Sequence, residues 1–191
     1  MTTFSANVDD SLDNGLEFPT NTFDTTVTLG VGNFSSISAN TGLRFINVSV
    51  PQGATINSAD ITLYNQGVLA GSPVARWYAW DDDDAPQFSS GGDVPSNVTK
   101  TTAFTAFTVS TGDITHSITS VIQEIVNRGG WVSGNAINLI AFDNSSPLNS
   151  GAGWDGFDQG SPSLLEIDYT TGGGGTAVPV FFNNLTNQGI A

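Results

Sequence analysis

A single helical repeat in a chain of 191 residues is the feature that most restricts this fold. Between Asp113 and Phe142 (DITHSITSVIQEIVNRGGWVSGNAINLIAF), residues Ile118, Val121, Ile122, Ile125 and Val126 recur at helical spacing, which predicts one amphipathic helix over about 114–128. Asp113 or Thr115 is placed to accept from the free N–H groups of its first turn. Gly129 and Gly130 permit the left-handed backbone that ends a helix, and Arg128 sets its charge beside the negative end of the helix dipole. Gly134-Asn135 then marks a turn, and Ala136 to Phe142, apolar on both faces apart from Asn138, reads as a core strand. A parallel α/β sheet needs a helix between most of its strands, so one helix points to an antiparallel all-β domain.

The remaining segments alternate with period two. Phe4, Ala6 and Val8 form one pattern and Val27, Leu29 and Val31 a second, joined by a polar connection. Leu43 to Val50, the turn Pro51-Gln52-Gly53 and the alternating Ala59, Ile61 and Leu63 read as a hairpin. Val74 to Trp80 is rich in aromatics, Phe104 to Val109 is short, and Ser163 to Tyr169 places Leu165, Ile167 and Tyr169 on one face. With the core strand this makes about eight strands, which suit a jelly-roll β-sandwich over residues 1–171. The helix is expected to close one end of it, with Trp131 as a plug. Residues 85–102, rich in Ser, Gly, Pro and Asn, read as a long loop of the functional or mobile kind.

Four Lys+Arg against eighteen Asp+Glu give a formal charge of −14, which disfavours nucleic acid and anionic membranes as partners. Only 12 % of residues are charged, and Thr, Ser, Asn and Gly fill the surface positions as they do in extracellular and virion proteins. There are no cysteines, so thiolate metal sites, thiol nucleophiles and disulfides are excluded. The N-terminal MTTFSANVDD lacks the basic and apolar regions of a signal peptide. The expectation is a protein made soluble in a host cytoplasm and carried out in a virion.

Three segments carry a family resemblance: LRFINVSVPQGATINSADITLYNQG (43–67), the helix-to-strand stretch from Asp113 to Phe142, and SPSLLEIDY (161–169). Together they resemble a jelly-roll family found among structural proteins of tailed phages and, more remotely, the DNRLRE-type carbohydrate-binding jelly rolls. The resemblance covers roughly residues 4–170. It implies a non-enzymatic virion structural protein, foremost a capsid decoration or cement protein on the outer shell. Its partners would be the major capsid protein, other virion proteins and further copies of itself. The alternative it implies is a carbohydrate-binding adhesion module of a fibre or an enzyme, with surface glycans as its partners.

Two constellations of residues could carry chemistry. Asp81, Asp82, Asp83 and Asp84, joined by Asp155 and Asp158, offer hard oxygen ligands suited to a structural Ca²⁺, although a run of acids also serves simply to solvate a sheet end. Trp77, Tyr78, Trp80, Trp154 and Phe157 are candidates for stacking on a sugar, although alternation sends one face of the 74–80 strand into the core. Catalysis has little to rest on: His116 is the sole histidine and is expected on an exposed first helical turn. No cofactor is implied beyond that Ca²⁺.

Residues 172–191 change character. Gly172 to Gly175 is expected to act as a hinge, and Val178, Val180, Phe181, Phe182, Leu185 and Ile190 are too apolar for a solvated terminus, which suggests a tail that packs on a neighbouring subunit or shell.

Overall fold

A computed structural model describes residues 1–171; the tail residues Val178, Val180, Phe181, Phe182, Leu185 and Ile190 lie outside them. The described chain is an antiparallel all-β sandwich of 12 strands with one helix. In chain order the strands are β1 Thr2–Asn7, β2 Asn14–Phe18, β3 Thr22–Asp24, β4 Leu29–Phe34, β5 Ile37–Phe45, β6 Thr55–Ala70, β7 Ala75–Ala79, β8 Thr105–Phe107, β9 Gly112–Ser117, β10 Ile137–Asp143, β11 Ser150–Trp154 and β12 Leu164–Thr170. The helix, α1, spans Thr119–Val126. One curled sheet runs β1-β12-β6-β11-β4-β5-β10-β7-β8, with β2–β3 attached to β5 and β9 attached to β6.

Curling brings the two ends of the sheet face to face across one core. Ala59, Ile61 and Leu63 of β6 and Leu165, Ile167 and Tyr169 of β12 meet Leu43 and Phe45 of β5, Trp77 of β7 and Leu139 of β10 there. Trp77 is fully buried at the centre, 5.2 Å from Phe107 and 6.4 Å from Trp154 between ring centroids. Helix α1 closes one side with Val121, Ile122, Ile125 and Val126, all buried, as the sequence leads one to expect. Trp131 is the expected plug, buried with its Nε1 donating to the Val50 carbonyl at 2.9 Å.

The helix is shorter than its sequence pattern. Asp113 to Ser117 belongs to β9, paired with β6, because Asp, Thr and Ser are poor helix formers and strand pairing satisfies their backbone. Neither Asp113 nor Thr115 caps the helix; Ile118 stands at the cap position without a side-chain bond. Gly129 and Gly130 do not adopt left-handed backbone. Instead the turn at Gly53 (φ +68°) docks on the helix end, its N–H donating to the Val126 carbonyl at 3.0 Å, while Gln52 donates to Arg128 O at 2.7 Å. The expected hairpin is also absent. Strand β5 pairs with β2, β4 and β10, and residues 46–54 cross to β6 with Val48 and Val50 buried beneath them.

Four strands beyond the expected eight are β2, β3, β9 and β11. Glycines in β2 and β11 and the three-residue length of β3 hide them from a periodicity argument, and β9 carried the helical pattern.

The long loop is not mobile surface. Phe88, Val94 and Val98 fold onto the outer face of β10 and join Phe23 and Ile140 in a second apolar cluster, with Tyr78, Trp80 and Phe142 packed against it. Bare backbone makes this possible: Gly15 and Gly42 are partners in the β2–β5 ladder, and a Cβ on either would strike the Phe23 or Phe88 ring, both at 2.5 Å. Hence β10 is covered on both faces. Glu124 of α1 holds the far end of the loop, accepting from the N–H groups of Thr102 at 2.8 Å and Ala103 at 2.6 Å.

Ile122→Asp places an unpaired carboxylate in this core and is expected to cost about 3 kcal/mol or more. Chemical denaturation measures it, and a parent-like midpoint would show that α1 is not docked.

Candidate functional site

The surface feature with the clearest shape is an apolar groove of about 440 Å³ where β5 exchanges one neighbour for another. Residues Ile37 to Ala39 pair with β4, whereas Asn40 to Leu43 pair with β2, so β4 and β2 part company along β5. The hydroxyl of Thr41 bridges the gap, accepting from Gly30 N–H at 3.0 Å and donating to its carbonyl at 2.7 Å. The groove opens beside that gap.

Its floor is backbone. Gly30 of β4 and Gly67 of β6 both face Gly153 of β11 in register, so three adjacent strands present no side chain along one line. Leu16, Phe18, Phe34, Ile37 and Leu69 wall it, and Ile37 and Leu69 are 40 % and 67 % exposed. Asn65 and Asp155 give one rim a polar edge, Asn65 Nδ2 donating to Asp155 Oδ2 at 2.6 Å. This arrangement accepts apolar side chains and offers few polar contacts to orient a soluble small molecule.

The expected calcium residues do not converge as a group. Asp81 and Asp83 both pair with Arg128, the latter at 2.7 Å, and Asp84 Oδ1 accepts from Ala136 N–H at 2.8 Å. Asp82 Oδ1 accepts from Asp84 N–H, and Asp155 is bonded to Asn65 on β6. Among the described residues no three His, Cys, Asp or Glu side chains are grouped to hold a metal ion. The acidic run fastens the loop to the helix end, and it explains Gly130: a Cβ there would collide with the Asp83 carboxylate. Partial burial acts against the Arg128 charge, but the bonds to Asp83 and Asp81 outweigh it and raise its pKa.

The expected sugar-stacking residues separate likewise. Trp77 and Trp154 are buried in the core, Tyr78 and Trp80 are half-buried, and Phe157 is exposed in a 3-10 turn at Phe157–Gln159. Tyr78, singled out from the sequence, sits in a flank of aromatics and cations on the outer face of β7 and β10 whose other members, Arg76, Lys100, Phe104 and Phe142, were not. Tyr78 lies 5.6 Å from Phe104 and 6.2 Å from Phe142, the Arg76 guanidinium sits 4.2 Å over Phe104, and the Lys100 ammonium 4.7 Å over Phe142. Period-two spacing of Arg76, Tyr78 and Trp80 was the available signal; Phe104 and Lys100 arrive from the loop.

His116 is not on an exposed helix. It lies on β9, buried, and its Nδ1 accepts from Trp77 Nε1 at 2.9 Å, which leaves its proton on Nε2. Burial pushes its pKa down to about 4 against a smaller opposing effect of the Thr108 backbone, and a second proton would also set two N–H groups against each other at Trp77. A ring held neutral and bonded inside the core is not poised for acid–base work at neutral pH.

No family model matches this chain, and no curated protein does. The fold and these two surfaces therefore carry the functional reading.

Because the aspartates of the acidic run are committed to Arg128 and to backbone N–H groups, EGTA is expected to leave the thermal midpoint unchanged. A drop on chelation, reversed by Ca²⁺, would contradict that. For His116 the folded pKa of about 4 lies below the ordinary 6.5, so the unfolded chain binds the extra proton first as pH falls. Its contribution to stability is full above about pH 6.5 and declines by about 1.4 kcal/mol per unit down to about pH 4. In urea titrations across that window, His116→Gln should flatten the slope; an unchanged slope would mean that the ring is not buried neutral.

Proposed function

We propose that this chain is a non-enzymatic virion structural protein, a decoration or cement subunit attached to the outside of a phage capsid. The observation that carries the proposal is the preformed apolar groove, open to solvent on a strongly acidic domain. Apolar grooves with few polar groups suit protein segments better than soluble metabolites. The side chains best suited to acid–base chemistry point the same way, because they hold the fold: Glu17 accepts from Asn40 and from the Ser96 N–H, Asp13 from Arg44 and Gln87, and Asp143 from Ser38. The resemblance of residues 43–67, 113–142 and 161–169 to phage jelly-roll proteins supplies the virion context. Capsid proteins, and further copies of this chain, are the proposed partners.

A second reading rests on the flank of Arg76, Tyr78, Phe104 and Phe142, where half-buried and exposed rings beside a guanidinium suit a pyranose face. In that reading the chain is a glycan-binding adhesion module.

Co-sedimentation with purified particles and a glycan array separate the two. Particle binding that survives Phe104→Ala, with no array signal, is the expected result. Sugar binding lost in Phe104→Ala, together with no particle association, would reverse the order.

A further inference from the structure

We infer that the groove receives the segment Val178 to Phe182 of a second copy of this chain, so that subunits join tail to groove. The inference rests on the groove being an assembly surface, as proposed above, and adds the identity of what fills it.

Covalent reach decides between the chain's own tail and a neighbour's. The described chain ends one residue beyond Thr170, which pairs with Thr55 at the start of β6. The groove lies at Gly67 and Leu69, toward the far end of the same strand. Those 12 to 14 residues amount to about 40 Å of strand at ~3.3 Å per residue, and even a right-angle bend at Asn65 leaves roughly 35 Å. From Thr171 to Val178 a fully extended chain spans at most about 25 Å. In its own subunit only the last residue of the segment could approach the groove. A neighbouring copy has no such restriction.

The chemistry of the two parts matches. The segment Val178-Pro179-Val180-Phe181-Phe182 has only apolar side chains, and residues 172–191 contain no charged side chain, so the acidic domain does not repel the segment. The floor of Gly30, Gly153 and Gly67 lets a chain lie close to the sheet, while Leu16, Phe18, Phe34, Ile37 and Leu69 are positioned to take its side chains. Pro179 has no N–H to satisfy there. Because groove and segment are different surfaces, a single contact leaves one groove and one segment free, and the assembly then either repeats into rings or open chains or closes when two copies exchange segments.

Two variants of the full chain test this by sedimentation equilibrium. A Cβ at Gly67 meets nothing within 4 Å and its backbone is not left-handed, so Gly67→Phe fills the groove without disturbing the strand. The double variant Phe181→Ser/Phe182→Ser removes the rings from the segment. The parent should associate, and each variant should weaken association at least about tenfold at an unchanged melting temperature. Mixing the two variants should restore a dimer, since one keeps the segment and the other the groove. A monomeric parent, association untouched by both variants, or a mixture that fails to pair would overturn the inference. Particle binding lost in Gly67→Phe with self-association intact would also overturn it, while leaving the assembly reading standing. Loss of neither would remove both.

Discussion

The buried indole of Trp77 is the point on which the two halves of the sandwich depend. It projects from β7 in one half of the curled sheet, and its N–H crosses to the other half, where His116 of β9 supplies the acceptor at 2.9 Å. A buried indole without that acceptor would lose a hydrogen bond worth about 1 kcal/mol net and carry a desolvation penalty of about 1–3 kcal/mol. The ring also contacts Phe107 of β8 and Trp154 of β11, so four strands from separate parts of the sequence are registered by one side chain. The neutral state of His116 is a condition of this arrangement, which ties the packing of the core to its protonation.

Electrostatics plays a local role in a protein with so few cations. Arg44 pairs with Asp13, Arg128 with Asp81 and Asp83, and Lys100 donates to the carbonyls of Pro95, Ser96 and Val98. The Arg128 pairs fasten the start of the long loop to the helix end, the Lys100 bonds hold the loop's own turn together, and Arg44 also donates from Nε to the Ala85 carbonyl at 3.0 Å, which ties the loop to β5. Burial lowers the Lys100 pKa, opposed by the charge of Glu17, as expected for an ammonium drawn under a loop. Among the described residues neither Arg76 nor Lys100 forms a salt bridge to a carboxylate, and Arg76 rests on an aromatic ring at the more exposed flank.

The groove follows from the path of β5. A strand whose partner changes from β4 to β2 along its length leaves a gap that ladder bonds cannot close. Thr41 bridges the backbone there, and the apolar residues flanking the gap find no opposing element. A second apolar cluster closes the other face of the same strands, where Phe88 and Phe23 lie over Gly42 and Gly15. Bare glycine backbone thus serves twice. On β2 and β5 it is covered by the chain's own aromatics, and on β4, β6 and β11 it stays open.

By itself the sequence determined the antiparallel all-β class, the docking face of α1, the plug at Trp131 and the double-sided burial of β10. Each depends on apolar spacing over neighbouring residues, a local pattern that tertiary contacts only reinforce. Tertiary structure alone decided the rest. The stretch from Asp113 to Ser117 carries both helical and alternating spacing, and pairing with β6 chose the strand. Asp81 to Asp84 look like free acids until Arg128, distant in sequence, is brought beside them. The groove could not be read at all, because Gly30, Gly67 and Gly153 form a line only once three strands are set in register, and register is a property of the folded sheet.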